Sequence, residues 1–208
     1  MPNAWPTACT IGFPPKRDTV TKMNLLTSTG LLLVAVCSTA SANDLSDIPN
    51  YREYSDLFSS AGQPSKKQLK LLREEGFGRI VYVAFTNSGK AFDDEDQIVK
   101  ELGMDYIQIP VDWGNPTASD FYAFAGVMQL GAPQKTLLHC QVNYRASAFS
   151  FLYRVIYDEV PVAEAKADMN TVWQPDETWR ALIFEILAEN DISADCEGCD
   201  WSVSEMHH

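Results

Sequence analysis

The hydrophobic positions of this chain change period along its length, and each change marks an element. Residues 80–85 are apolar without interruption, as in a strand covered on both faces, and this run is the expected central strand. A second strand is expected over 106–111. A third is expected over 136–140, a short apolar run preceded by Gly131 and Pro133. Helical spacing fills the intervals. Leu69, Leu71 and Leu72 lie between a capping Ser65 and a terminating Gly76, an acidic helix over 94–102 stops at Gly103, and Thr117 with Asp120 forms a capping box for a helix reaching Leu130. Phe149, Leu152, Tyr153 and Ile156 recur at i, i+3, i+4 and i+7, so a helix begins near Arg145, lays one face on the core and ends near Pro161. A short helix follows over 161–170. A last one starts at Pro175 and carries the apolar stripe Trp179, Leu182, Ile183 and Ile186 to Asn190. Helices alternating with strands predict an α/β fold, a central and mostly parallel sheet flanked by helices, with function at the strand C-terminal edge.

The ends read differently. Lys16, Arg17 and Lys22 precede a short apolar segment, 31–36, and the small residues Ala40, Ser41 and Ala42. This is the pattern of a secretory signal cut after Ala42, with Met23 a candidate true start, and it predicts a periplasmic or secreted protein. The apolar segment is shorter than the ~20 residues that span a bilayer, so no membrane insertion of the mature chain is expected. Residues 43–54, polar and without periodicity, are expected to strap the surface, and 191–208 form a polar tail after a domain over 43–190. Removal of the leader leaves 13 basic against 27 acidic side chains, a net charge of −14. So acidic a domain disfavours nucleic acid as a partner. A phosphorylated small molecule or phosphoprotein stays compatible, because screening over about 8 Å lets a local basic cluster dominate. Of the five cysteines, Cys140, Cys196 and Cys199 remain after cleavage. A Cys196–Cys199 disulfide that leaves Cys140 free is the simplest assignment, and a metal clip of that pair with His207 and His208 is the weaker alternative. No metal or cofactor is expected.

Chemistry concentrates after the third strand. Cys140 stands at a strand-to-helix turn, where free amides and the positive helix end favour an anion. Thiols so placed titrate at roughly 3.5 to 7.5 instead of about 8.5, and the thiolate is the nucleophile. Asn143 at the bend tolerates a left-handed backbone. Arg145, on the first turn, offers a planar fork for an oxyanion, and the loop of Gln141, Val142, Asn143 and Tyr144 offers amides to a substrate. His139 and Cys140 must face opposite sides of the sheet, so His139 is not the base for the thiol. It is expected to be buried, hydrogen-bonded and to shape the loop.

His139-Cys140 followed by Arg145 and Ser147 resembles the signature of the protein tyrosine phosphatase superfamily, His-Cys-x5-Arg-Ser/Thr, in particular the small bacterial dual-specificity-phosphatase-like domains found beside beta-lactamase-like hydrolases. Residues 60–64 are similar to their opening turn, and the likeness covers roughly 50–189. It implies a phosphoester hydrolase working through a phosphocysteine on Cys140. It also implies Asp112, 28 residues upstream at the same sheet edge, as general acid, and Ser147 at the substrate or thiolate, with a bond to a helix carbonyl as the alternative for Ser147. Only four residues separate Cys140 from Arg145, where the family has five. A six-residue loop is similar to that of rhodaneses, so a sulfurtransferase carrying a Cys140 persulfide is a second expectation. An inactive oxyanion or phosphoprotein binder is a third.

Overall fold

The computed structural model describes residues 44–87 and 89–202; the proposed leader, His207 and His208 lie outside them. A single 3-10 turn, Leu45–Asp47, leads into strand β1, Arg52–Ser55, and strand β2, Phe58–Ala61, which pair antiparallel. The expected surface strap over 43–54 is thus corrected: Ile48 is buried and β1 is the edge strand of the sheet. The hairpin escapes a hydropathy reading because β2 hides hydroxyls. Ser59 and Ser60 are fully buried, each paired with a tyrosine hydroxyl, Tyr51 at 3.1 Å and Tyr54 at 2.8 Å, as buried polar groups require.

Helix α1, Lys66–Glu74, opens with a Ser65/Gln68 capping box and leads to strand β3, Arg79–Tyr82. Helix α2, Glu95–Glu101, and strand β4, Asp105–Gln108, follow. Helix α3, Ala118–Met128, carries the Thr117/Asp120 capping box, and strand β5, Thr136–His139, delivers Cys140 to helix α4, Tyr144–Ile156. Helices α5, Val162–Asn170, and α6, Glu177–Glu189, complete the set. Asp176 caps α6 through the Trp179 amide, so Pro175 lies just before the helix and not at its first position.

The sheet order is β1-β2-β5-β3-β4, with β2, β5, β3 and β4 parallel. The expectation that 80–85 is central is therefore corrected: β5 is central and β3 is its neighbour. Among β5, β3 and β4 alone β3 would be the middle strand; the unforeseen hairpin shifts the centre to β5. Alternate residues of the inner strands sort into two apolar layers, Ile80 and Leu137 with Leu69, Leu72 and Val99, and Val81 and Leu138 with Phe121, Phe124 and Phe149. Helix α4 is not amphipathic as its i, i+3, i+4 pattern suggests. Every residue from Ala146 to Leu152 is buried, because sheet, α3, α5 and α6 surround it.

The tail is tied down through Ser202. Trp201 packs edge-on against Phe151 and Phe184, its carbonyl accepts from Arg180 Nη1 at 2.7 Å, and Cys196 and Cys199 form a disulfide.

Candidate active site

The parallel strands bring β2, β5 and the ends of β3 and β4 to one edge. Cys140 leaves β5 there, its amide donating to Ala61 O, while Val83 N donates to His139 O. The cysteine is thus held from both neighbouring strands. Asn143 adopts φ 73, the left-handed conformation the bend demands.

The loop is shaped from outside. Gln63 N donates to Gln141 O at 3.1 Å, Asn50 Nδ2 donates to Val142 O at 2.9 Å, and Asn143 Nδ2 donates back to Asn50 O at 2.6 Å. Gly62 must be glycine, since a Cβ there would stand 2.9 Å from Pro49 Cβ and 3.0 Å from Gln141 O. With Ser147 N holding Asn143 O at 2.8 Å, the carbonyls of residues 141, 142 and 143 are all engaged. In a trans peptide the N–H points opposite the C=O, so the following amides turn away from these braces. Among the described residues the amides of Gln141, Val142, Tyr144, Arg145 and Ala146 donate to no protein acceptor. Those from Tyr144 onward belong to the first turn of a 13-residue helix, whose dipole favours an anion.

Arg145 is part-buried, with its guanidinium 5.3 Å from the centre of the Trp113 ring. Its Nε is covered and bonded to nothing, and among the described residues no carboxylate pairs with it. Cys140 is fully covered, within the apolar layer that includes Val81 and Leu138.

Ser147 is drawn off elsewhere. Its Oγ donates to Tyr144 O at 3.0 Å and accepts from Trp173 Nε1 at 3.0 Å. Its one proton is directed at the helix carbonyl, the second of the two expectations for this residue. Tyr144 stacks on Trp173 with centroids 4.9 Å apart. Asp112 is exposed and its Oδ1 accepts from Gly114 N at 2.9 Å. Trp113 beside it is anchored, its carbonyl accepting from Trp179 Nε1 at 3.1 Å and its ring packed on Trp173 and Trp179. The Asp112 loop and Arg145 thus share one aromatic neighbour.

His139 lies on the opposite face, buried and stacked on Tyr82 at 4.8 Å. The expected hydrogen bonds are not made in good geometry by either ring nitrogen. Instead Nε2 is 3.4 Å from Glu95 Oε1, which also accepts from Gln63 Nε2 at 2.8 Å. Burial pushes His139 down to about 3, only partly offset by the Cys140 backbone, and raises Glu95 to about 7 against the easing bond from Gln63. Both groups are held toward their neutral forms, as an apolar setting demands. Gln63 lies in the opening turn, 60–64, that the resemblance includes, whereas Asn50, Glu95 and Trp173 carry no motif signal. The four come from four separate segments.

No family model and no curated protein matches this chain. Among solved structures, the DUF442 candidate phosphatase from Shewanella putrefaciens CN-32 is 33% identical over 70% of this chain and 94% of its own, with a TM-score of 0.65. More distant likenesses, Tk-PTP at 14% identity (69% of this chain, 97% of its own, TM-score 0.55) and the core catalytic domain of the PP-IP phosphatase SIW14 from S. cerevisiae at 13% (68% and 93%, TM-score 0.55), share the fold. With 33% identity over 94% of the DUF442 structure, and a fold shared with the more distant phosphatases, the chain belongs to the protein tyrosine phosphatase-like superfamily.

Proposed function

We propose that the chain is a cysteine-dependent phosphatase of phosphoesters. The observation that carries the reading is that one loop brings together Cys140, amides without acceptors and an arginine without a carboxylate among the described residues. Cys140 attacks phosphorus as a thiolate, forming an S–P bond as the P–O bond to the leaving group breaks. Arg145 and the loop amides balance the charge on the non-bridging oxygens. The departing oxygen takes its proton from Asp112 or from water. Water then attacks phosphorus, the S–P bond breaks, and phosphate and thiolate are released. Because Cys140 is fully covered, the loop must widen to admit a phosphoryl group. The secretory leader pattern favours a phosphorylated small molecule or phosphoprotein outside the cytoplasm.

One observation favours a second reading. The same cover over Cys140 suits an oxyanion binder without turnover. Assay of the mature protein on an aryl phosphate decides. Turnover is expected to vanish in Cys140→Ser and to fall by about 10²–10³ in Arg145→Ala, the loss typical of one oxyanion donor. Phosphate binding without product supports the binder, and a stable sulfur added to Cys140 by thiosulfate supports the sulfurtransferase.

A further inference from the structure

The Gln63–Glu95–His139 cluster is used by no step above, although it sits directly behind the cysteine. Glu95 is 3% exposed, on the first turn of α2, and reaches His139 from the face opposite Cys140. Gln63 connects the two faces, since its side chain holds Glu95 Oε1 while its backbone amide holds the carbonyl of loop residue Gln141.

We infer that Glu95 is a positioning residue for the cysteine loop: through its 3.4 Å approach to His139 Nε2, its carboxyl group sets which ring nitrogen carries the imidazole proton, and so what the ring presents to the Cys140 backbone. When the carboxyl is protonated, its O–H donates to Nε2 and the ring proton resides on Nδ1, which turns an N–H toward Cys140. Loss of the carboxyl proton to solvent leaves two acceptors facing each other at 3.4 Å. The ring proton then moves from Nδ1 to Nε2, where the carboxylate accepts it, and Nδ1 becomes an acceptor. No proton beyond the one lost to solvent is exchanged. The loop thereby loses a donor at the residue that bears the sulfur.

The setting leaves Glu95 in control. From β3, Tyr82 stacks on the imidazole and donates to Phe85 O. From β4, Tyr106 is raised by burial and by Glu95 itself. On α2 and its approach, Asp93 and Asp96 border the same cavity as Glu95, while Asp94 is paired with Lys66 of α1 at 2.5 Å. Asp96 opposes ionisation of Glu95 and Gln63 favours it, with burial the dominant cause.

The ring-proton step is independent of catalysis; only its consequence for turnover rests on the phosphatase reading. Histidine-ring nitrogen NMR on the mature chain, from about pH 5 to about pH 9, tests it directly. His139 is expected to change tautomer with a midpoint near 7, and Gln63→Ala should move that midpoint upward by removing the donor that stabilises the carboxylate. Glu95→Gln should abolish the transition and, if the protein is a phosphatase, the matching limb of its pH–rate profile. A His139 ring that keeps one tautomer across this range in the unmodified protein, or a transition unaltered in Glu95→Gln, overturns the inference. A chain that turns over no phosphoester but shows the transition retains the inference and loses the phosphatase reading.

Discussion

At the scale of single residues, Glu95 and His139 place opposite demands on the folded state. Glu95 is raised from 4.5 to about 7, so between those values the native chain holds a proton that the unfolded chain has released. Stability therefore falls as pH rises through that window. His139 is lowered from 6.5 to about 3, so its contribution falls as pH drops through 6.5 toward 3. Between 4.5 and 6.5 the two slopes oppose each other. Their local sum is nearly flat. Glu95→Gln keeps the shape and an acceptor for Gln63 while removing one slope. Urea denaturation across pH is expected to show a variant whose stability climbs from acid to about 6.5, and whose gain over the unmodified protein grows by about 3 kcal/mol between pH 4.5 and 7. A variant that tracks the unmodified profile would contradict the burial-driven shift.

At the scale of elements, α4 fastens the loop to the core. Its Phe149 meets Phe121 edge-on at 5.7 Å, Phe124 stacked at 6.0 Å and Trp179 at 5.9 Å, tying α4 to α3 and α6. Interiors are packed densely enough that a deleted ring leaves a cavity. Phe149→Ala should cost about 3–5 kcal/mol by equilibrium denaturation. A cost under about 1 kcal/mol would mean that α4 is not anchored there. The sequence pattern located this helix but assigned it one buried face. Its surrounding by four elements depends on where α5 and α6 return, and no period within 144–156 encodes that. The hairpin was missed for a related reason. Hydropathy cannot anticipate that Ser59 and Ser60 are buried against the hydroxyls of Tyr51 and Tyr54, eight and six residues upstream.

At the scale of the whole molecule, the chain closes over α4 with its own tail. Trp201 lies against Phe151 of α4 and Phe184 of α6, under the Lys166 ammonium at 4.6 Å. Cys196 and Cys199 lie three residues apart, so their disulfide closes a very short loop and removes little unfolded-chain entropy. Replacing both by serine should cost no more than about 2 kcal/mol. The expected readouts are faster proteolysis beyond Asn190 and altered Trp201 fluorescence, with the domain still folded. Loss of the whole fold in that variant would show the tail to be part of the core.

The sequence by itself determined the α/β alternation, the helix caps and the stretch from His139 to Ser147, because these are local properties: apolar period, side-chain hydrogen bonds three residues apart, and fixed spacing of cysteine, bend and arginine. Only the tertiary structure decided which strand is central, which segments brace the loop at its carbonyls, and that Ser147 serves Trp173 and a helix carbonyl. Those outcomes join residues separated by as many as 93 positions, as between Asn50 and Asn143. Contacts of that kind follow from chain packing and leave no local mark.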